Sequence, residues 1–200
     1  MKLSKKGEYA LRSLINLGLA AEVGRSLVQV AELAESEQLP VKFLEQIMQV
    51  LKEAGFVESK RGKFGGYRLA KPAGKITIGQ VVRVIDGPLA PIGCVSQTAY
   101  EKCTCPDEAH CGLRMLMLDV RNAIAGILDR YTLADVVEVT LRKLRRNLVP
   151  LPFSPEAAAA ASTPVRLPAR HARKLARSTG VARLDATEGV IHQLLGDYAI

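Results

Sequence analysis

Apolar residues in the first third of the chain recur at steps of three and four, the period of a helix with one buried face. From Glu8 to about Ala21 they are Leu11, Leu14, Ile15, Gly18 and Leu19, after which Gly24 stops the helix. Val28 to Ser36 repeats the pattern with Val30, Leu33 and Ala34. Pro40 then suits the first turn of a third helix, where its missing N–H would have no partner anyway. That helix carries the stripe Leu44, Ile47, Met48 and Leu51 and stops at Gly55. From there the period changes. Phe56–Ser59 and Tyr67–Ala70 read as short strands around a glycine-rich turn, Arg61-Gly62-Lys63-Phe64-Gly65-Gly66. Three helices joined by tight turns and followed by a hairpin predict a winged helix-turn-helix.

Thr77 to Asp86 predicts a short helix with Ile78, Val81, Val82 and Ile85 on one side, ended by Gly87-Pro88. A loop follows from Leu89 to His110. Leu113, Leu116, Met117, Val120, Ile124, Ile127, Leu128 and Tyr131 then form a long helical stripe. This face is too apolar to stand alone in water, which predicts packing against a second copy of the chain. Leu133 to Arg145 supplies the last helix. Beyond Asn147, Pro150, Pro152, Pro155, an alanine run, Pro164 and Pro168 read as a linker. Arg166, Arg170, Arg173, Lys174 and Arg177 add a basic patch, and Val190 to Leu195 fits one short helix. The expected fold is mainly α with a small β wing. Its expected divisions are a DNA-binding domain over 1–75, a cysteine loop with dimerisation helices over 76–148, and a flexible linker and basic tail over 149–200.

Composition narrows the partner. Lys and Arg number 28 against 20 Asp and Glu, a formal charge of +8, which favours a polyanion: nucleic acid or an anionic membrane surface. Lys42, Glu45, Gln46 and Gln49 share the polar face of the third helix. Gln pairs bidentately with adenine, Glu accepts from the cytosine amino group, and Lys contacts guanine or phosphate. Lys60, Arg61, Lys63 and Arg68 concentrate charge on the hairpin, and Arg61, Lys63 and Tyr67 join the candidate contacts to double-stranded DNA. No stretch approaches the roughly 20 apolar residues that span a bilayer. Arg12 and Asn16 interrupt any secretory signal, so the expected location is the cytoplasm, where thiols stay reduced.

All four cysteines, Cys94, Cys103, Cys105 and Cys111, fall in the loop before the long helix, spaced Cys-x8-Cys-x-Cys-x5-Cys. Such density points to a shared metal, an iron–sulfur cluster or thiol switching. The spacing lacks paired C-x2-C knuckles, which weighs against a zinc ribbon, and soft sulfur donors in a loop suit iron–sulfur. Cys111 lies at the N-terminus of the long helix, where the dipole favours thiolate. No catalytic constellation accompanies the cysteines, so an enzyme is not expected.

Several motifs together resemble the winged-helix transcriptional regulators of the IscR/NsrR type. They are Met1-Lys2-Leu3-Ser4 leading into Glu8-Tyr9-Ala10-Leu11, Phe43-Leu44-Glu45-Gln46, Leu51-Lys52-Glu53-Ala54-Gly55-Phe56-Val57, Arg61-Gly62 and Gly65-Gly66-Tyr67. The cysteine loop running into a long helix completes the likeness, which covers roughly residues 1–147. It implies a homodimer reading a pseudo-palindrome, with Glu45 where the family carries a base-reading glutamate. It also implies a [2Fe-2S] or [4Fe-4S] cluster in the loop, with Cys94, Cys105 and Cys111 as the counterparts of the family's three cysteines. Cys103 is extra and competes for the last ligand position with Glu8, which stands where some relatives supply a carboxylate from the second subunit. Arg114 occupies the place of a histidine ligand in others, and His110 is an outside candidate. At the wing tip Lys63-Phe64 replaces a small pair, so the resemblance implies phosphate contact there ahead of minor-groove insertion. A cluster-free thiol-redox or zinc-dependent regulator of the same fold is the alternative.

Overall fold

The computed structural model describes residues 3–155 and 157. The linker from 158 onward, the basic patch at 166–177 and the helix expected at 190–195 lie outside the described residues.

Helix α1 (Lys5–Glu22) starts where the Ser4 hydroxyl accepts from Gly7 N at 2.9 Å, closing one of the orphan donors of its first turn. It begins one turn earlier than the apolar period shows, because polar residues form that turn. Its buried face is Ala10, Leu14, Leu17 and Gly18, with Leu11 and Ile15 half-buried at the edges. Gly24, at φ +78°, turns the chain away. Helix α2 (Val30–Glu37) is shorter than its apolar pattern implies. Val28 instead forms an antiparallel bridge with Tyr67, Val28 N to Tyr67 O at 3.0 Å and Tyr67 N to Val28 O at 2.8 Å. Gln38 in a left-handed conformation ends α2, and Pro40 caps α3 (Val41–Glu53). The buried stripe of α3 is Leu44, Ile47, Met48 and Leu51, the set read from the sequence.

Strands β1 (Val57–Lys60) and β2 (Gly66–Leu69) pair antiparallel, Val57 opposite Leu69 and Lys60 opposite Gly66. Helix α4 (Ile78–Asp86) is capped by Thr77 and Gln80 and packs on α1, where the Asp86 carboxylate accepts from Ser4 N at 2.9 Å. The long helix α5 (Gly112–Arg130) lies beside α4 and is tied to it by Arg83, whose two terminal nitrogens reach Asp129 at 2.6 and 2.7 Å. Helix α6 (Leu133–Arg146) returns to α1, so Leu133, Val137 and Leu141 share one core with Leu14, Leu33, Leu44 and Leu51. Thr77 and Thr132 form an antiparallel bridge, with Ile78 N to Tyr131 O at 3.0 Å and Leu133 N to Ile76 O at 2.7 Å. Among the described residues no helix is long and apolar enough to cross a membrane.

Two charged groups brace α1. Glu37, with its side chain only 5% exposed, meets Arg12 Nε and Asn16 Nδ2, both at 2.5 Å. Desolvation nevertheless dominates and holds the Glu37 carboxyl above its ordinary pKa. Arg12 also stacks on Tyr9, whose ring meets Phe43 of α3 edge-on at 6.0 Å.

Candidate nucleic-acid interface and cysteine loop

The stripe that anchors α3 in the core leaves Lys42, Glu45, Gln46 and Gln49 exposed on the opposite side. Gln49 Nε2 donates to Glu53 Oε1 at 2.7 Å, so its amide is partly engaged within the helix. Tyr67 of β2 sits half-buried against the core. Burial pushes its phenol above the ordinary pKa, and the nearby Glu45 carboxylate pushes the same way. Helix α3 packs against β1, which sets the wing beside it. Arg61 and Lys63 are exposed at the wing tip, whereas Arg68 turns back onto Glu58, its neighbour across the two strands. Of the four wing cations read from the sequence, Arg68 thus belongs to the hairpin flank. Gln29 Nε2, 3.4 Å from Lys63 O, hooks the tip to the start of α2. Nothing in the spacing signals that contact, because it joins residues far apart in sequence.

Between α4 and α5 the loop carries its cysteines in three settings. Cys94, in a short 3-10 turn at Gly93–Val95, is a buried free thiol. Cys111 is the half-buried N-cap of α5, also free, at the helix end foreseen for it. Cys103 and Cys105 are joined in a disulfide. Glu108 organises the loop, taking the Tyr100 hydroxyl at 2.9 and 2.8 Å and pairing with Arg114 Nε at 3.1 Å. That engagement holds the Tyr100 phenol above its ordinary pKa. Arg114, in the place of a histidine ligand, therefore fastens the loop to α5. His110 is solvated and rests on Asp107, ring nitrogen to carboxylate 2.7 Å. Glu8 lies on α1, with Lys5 Nζ at 2.6 Å and Arg12 at 3.8 Å; the Lys5 hydrogen bond chiefly draws its carboxyl below the ordinary value.

Four sulfurs in one loop suit an iron–sulfur cluster in kind. In the oxidised loop two of them are spent on each other, and a disulfide sulfur is no thiolate donor. Among the described residues no three Cys, His, Asp or Glu side chains converge on one point. In donor chemistry the set fits such a cluster only with the Cys103–Cys105 bond reduced to thiols.

The profile of the Rrf2 family, described as an iron-dependent transcriptional regulator, matches residues 3–139. The chain belongs to the Rrf2 family. An rrf2-like HTH-type transcriptional regulator of Rhodobacter capsulatus is 39% identical over 139 residues, covering 68% of this chain and 91% of that protein. The structure of CymR, the global cysteine regulator of B. subtilis, shares 33% identity at a TM-score of 0.56, over 69% of this chain and 97% of CymR. That of T. potens IscR shares 29% identity at a TM-score of 0.52, over 69% of this chain and 87% of IscR. This Rrf2 protein is therefore a DNA-binding transcriptional regulator, not an enzyme.

Proposed function

We propose that the protein is a homodimeric regulator that reads a pseudo-palindromic operator through α3 and the wing. Its DNA affinity is set by an iron–sulfur cluster in the cysteine loop. Lys42, Glu45, Gln46 and Gln49 read the major groove, Arg61 and Lys63 hold the flanking backbone, and Tyr67 fixes the wing against α3. Cys94, Cys105 and Cys111 hold the cluster, with Cys103 or Glu8 from a second copy completing the set. When bound, the cluster supplies a centre that oxidants and nitric oxide alter or remove. The observation carrying this reading is the position of all four sulfurs between α4 and the N-cap of α5.

Dimerisation is supported by α5 itself. Leu113, Leu116, Val120 and Ile127, on one side of the helix, are all exposed on the single chain. An apolar face of this kind calls for a second copy. A change at the loop reaches Cys111 and Arg114, then α5, then α4 through Arg83 and Asp129. Switching a regulator from mostly bound to mostly free requires about 5.5 kcal/mol of differential affinity between its states.

A second reading has its own observation. The Cys103–Cys105 disulfide favours a thiol-redox regulator, in which two electrons and two protons from a dithiol reductant open the bond to two thiols. Likeness to CymR supports it. Anaerobic purification with an absorption spectrum, iron, sulfide and zinc assays, and mobility shifts with and without reductant separate the readings. Iron and sulfide in stoichiometric amount support the first. A colourless protein whose DNA affinity follows reductant alone supports the second, and stoichiometric zinc would overturn both. An unaltered cluster spectrum in Glu8→Ala would remove Glu8 from the ligand set.

A further inference from the structure

The wing tip carries a side chain that neither the fold nor the base-reading face accounts for. Phe64 is 83% exposed, while most other aromatic rings of the wing and helices pack inward. It stands on a narrow blade. Gly65 N donates to Gly62 O at 2.9 Å, Gly62 adopts φ +111°, and a Cβ on Gly66 would lie 2.6 Å from Val28 O. The positions around Phe64 therefore offer no other bulky apolar group, and the blade is held firmly. The β1–β2 pairing, the Val28–Tyr67 bridge and the Gln29 hook to Lys63 O fix it from three sides.

The surroundings say what the ring meets. Lys60, Arg61 and Lys63 of the same hairpin are exposed, and Lys63 Nζ lies 5.8 Å from the ring centroid. A single exposed ring with a cation over it is a poor surface for a protein partner, which needs a contiguous apolar patch of several hundred Å². Cations on a slender hairpin match the negative potential of a narrow minor groove. An apolar wedge carried into that groove partly unstacks a base step and kinks the duplex toward the major groove. Pyrimidine–purine steps yield most readily to such a wedge.

We propose that Phe64 is a wedge and specificity-determining residue. While Arg61 and Lys63 hold the flanking phosphates, it enters the minor groove beside the half-site read by α3, and inserts at a pyrimidine–purine step. Specificity at that step comes from the ease of unstacking, with no base-edge hydrogen bond from the wing. The proposal rests on α3 and the wing reading DNA together.

The test uses the full-length protein and a random-sequence duplex pool. Wild-type protein is expected to enrich a motif with a TA or CA/TG step flanking each half-site. With 2-aminopurine placed at that step, its fluorescence should rise on binding, and circular-permutation gels should report a bend. Phe64→Ala should abolish the fluorescence rise, reduce the bend, and weaken binding about tenfold or more. Phe64→Leu, still apolar, should restore part of all three. Arg61→Ala with Lys63→Ala should instead lower the salt dependence of binding. An enriched motif that Phe64→Ala binds with an unchanged bend and fluorescence overturns the wedge, whatever its affinity, and leaves DNA reading intact. A wild-type protein that enriches no motif overturns the operator-reading proposal and the wedge together.

Discussion

At Gly18 helix α1 lies hard against Val137 of α6, and substituting it measures how tightly the two helices are locked together. A Cβ built on Gly18 would meet Val137 Cγ2 at 2.5 Å, with Val137 itself only 4% exposed. Val137 is β-branched and stiff at χ1, so it cannot swing its methyl away cheaply. Gly18→Ala gains about 1 kcal/mol of helix propensity and loses about 1–3 kcal/mol to overpacking. The expected result is a protein destabilised by about 0–2 kcal/mol relative to wild type. In a Val137→Ala background the obstructing methyls are gone. The same substitution should then stabilise by about 1 kcal/mol, giving a coupling of about 1–3 kcal/mol between the two sites. Urea denaturation of the four proteins, followed by circular dichroism, completes the cycle. If Gly18→Ala stabilises by the same amount in both backgrounds, the close α1–α6 packing is refuted.

Leu116→Asp combined with Ile127→Asp should yield a monomer by analytical ultracentrifugation, with little loss of subunit stability because both residues are exposed on the single chain; a persisting dimer would place the interface elsewhere. Glu37 has a folded pKa raised above its ordinary 4.5, so the folded protein holds a proton that the unfolded chain has released. Its contribution to stability is therefore complete below 4.5 and is lost as pH rises through the folded value. Glu37→Gln should lack that downward slope, so the stability difference between wild type and variant should fall as pH rises through the folded value, and parallel curves would argue against burial as its cause. Alkylation of the air-oxidised, denatured protein should label Cys94 and Cys111 alone, and all four cysteines after reduction, as read by mass spectrometry. Four labels before reduction would remove the disulfide.

Much of the reading head was legible because its signals are periodic. The stripe of α3 emerged residue for residue, since a helix with one buried face writes its period into the chain. Val28 was misplaced in α2 because a single bridge has no period; only its partner Tyr67, far along the chain, reveals it. The cations of the wing were visible as types, but the cross-strand register that turns Arg68 onto Glu58 was not. Cys111 at the start of α5 followed from the onset of the apolar stripe. The pairing of Cys103 with Cys105 did not, because spacing alone leaves connectivity open. Glu37 gave no sign of burial, being one of several acids near a helix end whose partners come from α1.

The bridge between Thr77 and Thr132 pins together the two ends of everything that lies between them. In topology α4, the cysteine loop and α5 form one long excursion that leaves the reading head and comes back to the same point. Val81 and Ile85 of α4 pack with the core outside, so the excursion shares α4 with the rest of the molecule, while the cysteine loop and α5 stand apart from that core. Whatever signal the excursion receives has two exits, through the bridge itself and through the face of α4 against α1. A displacement in the loop can thus travel to α1 along the backbone and through side-chain packing at once.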